Sequence, residues 1–422
     1  MRIAAGRRWE GAPSSRPTPH PVRFLVAAVA AVSLLSACQD PAGVGLGLID
    51  EEQLDPNVRT IPVTGFSAVP DTTVAIGIAA TSTSSPIQTR VLAGRVADPV
   101  FGDARAVAYV DVLQSSSLDG DAEAGDVTDA WLELDRVYAY GDTTTALPLE
   151  LRQIEGDWEV DTGYPADTLF ATGDLLSTTT VVASDTLRRF DLPDAWVSAN
   201  AALLVGDDFD DDFEGFALDV PASYVAAPGV VFGFNTFRSE GSGLRVVVGE
   251  DTLLYPLSEV FSSIATEPPA MAPAGVLGVR AMPGAAIRFD ADFTPIGPTP
   301  LARARVRLPI DASLIEDGAF VRPVPTRAFL YGIRTVDGAE TFTQLSDTVV
   351  FDGSGELTVL ATADLTRQLQ SVLLAPDTAF DRYELRTISA IPSLDVFPLL
   401  LPETQADARP RFTLTLVGSA PE

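Results

Sequence analysis

The sequence predicts an all-β protein: two β-sandwich domains behind a lipoprotein signal peptide. Three features of the 422 residues carry this prediction. Apolar and β-branched runs of about five to eight residues recur along the chain, set apart by clusters of Gly, Pro, Asp and Ser. Several runs alternate apolar and polar residues with period two, the mark of a sheet that is wet on one face. The 32 prolines and 32 glycines fall between the runs and would break long helices. With 46% apolar residues, the chain has the material for a core that a disordered acidic tail lacks.

The first 58 residues read as an address. Arg2, Arg7, Arg8, Arg16 and Arg23 form a basic leader, and residues 24–35 form an apolar run. A run of that length suits a signal-peptide core and is too short to cross a bilayer core of about 30 Å as a helix. Leu35-Ser36-Ala37-Cys38 follows, and Cys38 is the only cysteine. This resembles a bacterial lipobox, whose cysteine is lipidated and becomes the first mature residue. Residues 1–37 are expected as the signal peptide and Cys38 as the lipid-attachment site. Residues 38–58, with Gly and Pro and no clear period, are expected as a tether off the membrane. Each acyl CH₂ buried in lipid contributes about 0.8 kcal/mol, and more than one chain makes anchoring stable.

Beyond the leader the chain carries 23 arginines, 57 acids and no lysine, a formal charge of −34. Such a surface suits a salty milieu, where self-repulsion is screened. It argues against nucleic acid as a partner, because phosphate backbones need a basic surface. His20 is the only histidine, so imidazole bases, His-activated nucleophiles and the usual zinc, copper or iron sites are absent from the mature chain. Without lysine there is no Schiff base and no P-loop. The chemistry that remains is that of carboxylates.

Strands are expected at 73–78, 106–112, 130–137, 147–152, 244–248 and 411–417, and one helix at 362–374. On that helix Leu365, Leu369, Val372 and Leu373 share a face, and Pro376 ends it. A weak internal repeat runs through the chain. Strands at 130–137 and 147–152, a strand end with a helical turn at 190–197, a strand at 215–220 and a closing strand at 242–248 are matched by 302–310, 327–333, 357–365 with its helix, 382–388 and 409–417. Chance likeness of two all-β domains is the competing reading. The expected domains are 59–255 and 299–422, joined by a Pro- and Ala-rich linker at 256–298, in which 285–289 has strand character.

Three constellations stand out. Trp131, Trp158 and Trp196 are the only tryptophans after the leader, and they form either a sugar-stacking platform or part of a core. Asp207, Asp208, Asp210, Asp211 and Asp212, interleaved with Phe209 and Phe213, form a candidate calcium loop or a solvated acidic loop with its phenylalanines turned inward. The spacing is not that of an EF-hand. Glu155, Asp157, Glu159 and Asp161 alternate around Trp158 and offer acids for a glycosidase, which needs a pair about 5–10 Å apart.

The stretch Gly94-Arg-Val-Ala-Asp98-Pro99-Val-Phe101-Gly102, followed by a strand with Ala106 and Tyr109, resembles the signature of a bacterial lipoprotein family of unknown function, domain-of-unknown-function family 4270. The physical reading of the same residues is that Asp98-Pro99 starts a turn, Phe101 is a core plug and Gly102 takes a backbone angle closed to other residues. More weakly, the order of elements in each repeat is similar to jelly-roll carbohydrate-binding modules, which implies jelly-roll-like sandwiches with a glycan-binding face. The expected protein is a non-enzymatic lipoprotein anchored in the outer membrane, with a binding or assembly role and envelope proteins or glycans as partners. A carbohydrate-binding surface lipoprotein and a carboxylate-dependent glycosidase are the alternatives. No cofactor is expected beyond the calcium candidate.

Overall fold

A computed structural model describes residues 57–69, 78–79, 81–82, 90–158, 163–236, 241–269, 274–280, 285–325, 328–346, 350–351, 356–359, 362–387, 393–401 and 410–417. The expectations for residues 1–37, for Cys38 and for all but the end of the 38–58 tether lie outside them. The described chain is antiparallel β structure built into sandwiches, as the period-two patterns predict. It opens with β1 (Val58–Val69). Next come β2 (Arg90–Asp98), β3 (Gly102–Val112), β4 (Val127–Asp142), β5 (Leu147–Ile154), β6 (Thr172–Val181), β7 (Leu187–Asp191) and helix α1 (Asp194–Leu204). The first sandwich continues with β8 (Phe216–Asp219), β9 (Gly229–Asn235), β10 (Gly243–Val248) and β11 (Asp251–Thr266). The second uses β12 (Val276–Arg280), β13 (Ala286–Ala291), β14 (Leu301–Pro309), β15 (Phe320–Val321), β16 (Ala328–Val336), β17 (Ala339–Gln344) and β18 (Glu356–Val359). It ends with helix α2 (Ala363–Leu374), β19 (Arg382–Thr387), β20 (Val396–Leu400) and β21 (Arg411–Leu416).

The two halves share one pairing scheme. In the first, β4 pairs with β7 and β10, and α1 packs on β4. In the second, β14 pairs with β18 and β21, and α2 packs on β14. The β5–β6 hairpin lies against β8, which also pairs with β3. Likewise the β16–β17 hairpin lies against β19, which also pairs with β13. β9 joins β2 as β20 joins β12. The repeat read weakly from the sequence is therefore a repeat of topology.

One strand breaks the sequential order. β11 pairs with β10 up to Pro256 and with β3 from Leu257 onward. Its counterpart in the second sandwich is β1, which pairs with β21 up to Pro62 and with β13 from Val63 onward. In both strands a proline, which has no N–H to give a ladder, sits where the strand passes from one sheet to the other. The expected boundaries move accordingly. Residues 58–69, assigned to the first domain, complete the second, and the expected linker 256–298 holds the end of β11 together with β12 and β13. The sequence does not reveal this, because β1 finds its partners more than 200 residues away, beyond the reach of any local pattern.

The apolar alternation lines both cores. Leu132, Leu134, Leu149, Leu151, Leu244 and Val246 pack in the first, and Val306, Leu308, Phe289, Leu385, Phe412 and Leu414 in the second. Helix α2 begins at the Thr362 cap, whose hydroxyl accepts from Leu365 N at 3.1 Å. It buries the four predicted residues. Its polar side chains serve strand edges: Thr366 Oγ1 accepts from Ala304 N at 3.1 Å and Gln370 Oε1 accepts from Leu301 N. These bonds satisfy donors of β14 that no strand pairs.

If β1 closes only the second sandwich, the double variant Ile61→Ala/Val63→Ala exposes only that one. Truncating one such buried side chain costs about 2–5 kcal/mol. Hydrogen exchange read by mass spectrometry should quicken in β13 and β21 and stay slow in β3 and β10. Equal loss of protection in both halves would contradict the assignment.

Candidate functional site

The Gly94–Gly102 motif lies at the junction of the two sandwiches. Gly94 sits in β2, opposite Val231 of β9 and Ala106 of β3. Asp98 ends β2, and its Oδ1 accepts from the backbone N–H of Val100 at 2.8 Å and of Phe101 at 3.1 Å, which fixes the turn through Pro99. Gly102 follows with φ of +83°, and a β-carbon there would collide with the Glu267 carbonyl, so only glycine fits. The second sandwich grips this turn. Arg322, the residue directly after β15, donates to Asp98 through Nε (2.8 Å) and Nη2 (3.0 Å). Tyr140 of β4 donates its hydroxyl to the same carboxylate. Arg280, at the end of β12, donates to the carbonyls of Phe101 (3.1 Å) and Gly102 (2.6 Å). The Phe101 ring lies against Gly278, and Phe320 of β15 pairs opposite Asp142 of β4.

The Asp98 and Arg322 side chains are 0% and 2% exposed. Burial pushes the Asp98 carboxyl up, yet the donors from Arg322, Tyr140 and Val100, with the Arg322 charge, outweigh it and hold it below the usual carboxylate range. The carboxylate is ionised and accepts five hydrogen bonds, so this motif ties the two sandwiches together. Tyr138 adds a bond from its hydroxyl to Asp395 Oδ1 at 2.9 Å across the same junction.

The tryptophans do not form a platform. Trp158 is buried beside Phe170 and donates to the Glu214 carbonyl at 2.9 Å. Trp196 is buried in the first core and donates to Gln153 Oε1 at 2.9 Å. Trp131 is half-buried, and the Arg189 guanidinium lies 3.8 Å from its ring centroid. Large aromatics were needed for packing, and they fill three separate places.

The acidic loop is organised by its phenylalanines. Phe209 and Phe213 are buried and stacked 5.0 Å apart, while Asp207, Asp208, Asp210, Asp211 and Asp212 are exposed. Among the described residues no three His, Cys, Asp or Glu side chains converge into a metal-holding group. Asp210 Oδ1 instead accepts from Gln114 N at 2.7 Å.

Of the alternating acids, Glu159 and Asp161 lie outside the described residues. Asp157 reaches Glu214, whose carboxyl is raised by burial and then by the Asp157 charge. Nearby Asp111, at the end of β3, has its carboxyl pushed up to about 7 by burial, with Glu259 and Glu214 adding to the shift. Its Oδ2 accepts from Ser258 Oγ at 2.9 Å, and its Oδ1 is buried without a partner.

One open feature of the second sandwich is a cleft of about 240 Å³ between the end of α2 and the loop after β13. Phe293, Val372, Leu373, Pro376, Phe380 and Tyr383 line it. Phe380 lies flat over Gly332 of β16, where a β-carbon would meet the ring at 2.6 Å. Tyr383 is 1% exposed. No protein-family model, curated protein or solved structure matches the chain. The resemblances drawn above therefore rest on the quoted residues alone. Sequence reasoning missed Arg280, Arg322, Tyr140 and Tyr383. The repeat was a usable signal for Tyr383, which falls opposite Gly332 as Phe216 falls opposite Gln153.

Asp111 gives a pH test. The folded protein keeps this proton up to about 7, whereas the unfolded chain releases it near 3.8, so stability falls as pH rises between those values. Asp111→Asn should therefore raise the melting temperature at about pH 8, by a stabilisation on the order of a few kcal/mol, and leave it unchanged near pH 4. Calorimetry at both pH values checks this. A loss of stability at the higher pH would show that the ionised carboxylate is needed.

Proposed function

We propose that this chain is a lipid-anchored protein of the cell envelope, held at the outer membrane through Cys38, with a binding or assembly role. The observation that carries the reading is the coincidence of the arginine leader, the apolar run 24–35 and the small residues Ser36 and Ala37 directly before the only cysteine. Two further features support it. The Gly94–Gly102 motif is spent on holding the two sandwiches together, and the chain after Cys38 lacks lysine, histidine and further cysteine. Among the described residues no helix is long and apolar enough to cross a membrane. Two rigid, strongly acidic sandwiches on a tether are suited to presenting a surface to a partner in a salty medium.

Loss of the acyl anchor tests the reading. Wild-type chain labelled with a palmitate analogue should fractionate with membranes and carry label. Cys38→Ala should carry none and move to the soluble fraction. A variant that stays acylated and membrane-bound would refute the anchor. Cross-linking in cells, read by mass spectrometry, should then recover an envelope protein in stoichiometric amount.

A further inference from the structure

The charges at the junction of the sandwiches do not balance. Asp98 is matched by Arg322, whose remaining nitrogen, Nη1, donates to the Leu314 carbonyl at 3.1 Å, so every nitrogen of Arg322 has an acceptor. Asp395 is matched by Arg90 at 3.8 Å. Arg280 brings a further positive charge into the junction and is 7% exposed. Among the described residues no Asp or Glu forms an ion pair with it. Its neighbours are neutral: the carbonyls of Phe101 and Gly102, both bonded by Nη2, and the ring of Tyr140, whose centroid lies 5.2 Å from Cζ. Arg280 Nη1 is buried with no hydrogen-bond partner. The guanidinium is rigid and planar, so Nη1 cannot share those carbonyls while Nη2 holds them. Arg90, Arg188 and Arg382 also leave a buried atom without a partner, but there it is Nε, and a terminal nitrogen of each reaches an acid: Asp395, Asp185 and Glu340.

We propose that Arg280 Nη1 holds a small inorganic anion, chloride, at the junction of the two sandwiches. Two observations carry this. The first is the pair of Nη1 N–H donors, which are out of water and call for an acceptor. The second is charge: an uncompensated buried cation is costly, and buried charges are found paired. A water on Nη1 would satisfy the donors and leave the charge. Because Nη1 is closed to bulk solvent, a monatomic ion suits it better than an organic acid. Bound there, the anion neutralises the residue that grips the turn through Phe101 and Gly102, and so becomes part of the tie between the sandwiches. The inference is independent of lipidation and of any partner.

Thermal unfolding of the detergent-solubilised full chain tests it, with chloride exchanged for gluconate at constant ionic strength so that screening of the acidic surface stays fixed. The melting temperature should rise by about 2 °C for each tenfold increase in chloride above its dissociation constant. Arg280→Gln, which keeps a donor for the carbonyls and removes the charge, should lose this dependence. Crystals of the wild-type chain grown in bromide should show an anomalous peak within hydrogen-bond reach of Nη1. If Arg280→Gln fails to fold, the wild-type titration and the bromide peak decide. No bromide at Nη1, or a chloride dependence that Arg280→Gln leaves unchanged, overturns the proposal. So does a peak with no chloride dependence in the wild type, which marks binding at crystal concentration only.

Discussion

The buried Asp98–Arg322 pair is the constraint on which the rest of the architecture depends. Removing two charges from water costs several kcal/mol each, and only full hydrogen bonding in a fixed geometry repays it. Here the carboxylate receives two guanidinium donors, a phenol and two backbone N–H groups. The arrangement exists only when the β2–β3 turn of one sandwich is seated against β12 and β15 of the other. It also places Phe101 on Gly278 and gives Arg280 the carbonyls of Phe101 and Gly102 to bind. A single core cluster accordingly runs from Val96 and Tyr140 of the first sandwich to Phe397 of the second.

The second constraint is the position of β1. The second sandwich is completed by a strand from the start of the described chain, whereas the first is closed by β11 from its own end. The contacts of β1 are among the longest-range in sequence, which raises the loop-closure cost of making them. The two halves differ at their helix ends: aromatic side chains fill the first, and a cleft remains at the second.

Much of the fold was legible because it follows from local rules. Alternation in Leu301-Ala-Arg-Ala-Arg-Val-Arg-Leu gives an inward and an outward face, and β14 obeys it. Thr362 and Pro376 bracket α2, and its apolar stripe lies buried. Asp98-Pro99 and Gly102 were readable as a turn, and Phe101 as a plug. The sequence did not announce Arg322, which lies 224 residues from Asp98 and sits in no motif. Nor did composition separate core tryptophans from surface ones, because Trp158 and Trp196 use their indole N–H groups on a backbone carbonyl and a glutamine inside the protein. Phe209 and Phe213 show the same limit: a run of acids drew attention to a cation, while the two rings between them decided the local structure.

A double-mutant cycle on the lock is the most direct measurement. Asp98→Asn, Arg322→Met and the double variant would each be unfolded in denaturant alongside the wild type. Each single change leaves one buried partner uncompensated and should cost about 3–5 kcal/mol, and the double should cost at least about 2 kcal/mol less than the sum of the singles. Single costs below about 1 kcal/mol, or simple additivity, would show that the sandwiches are held together by something other than this pair.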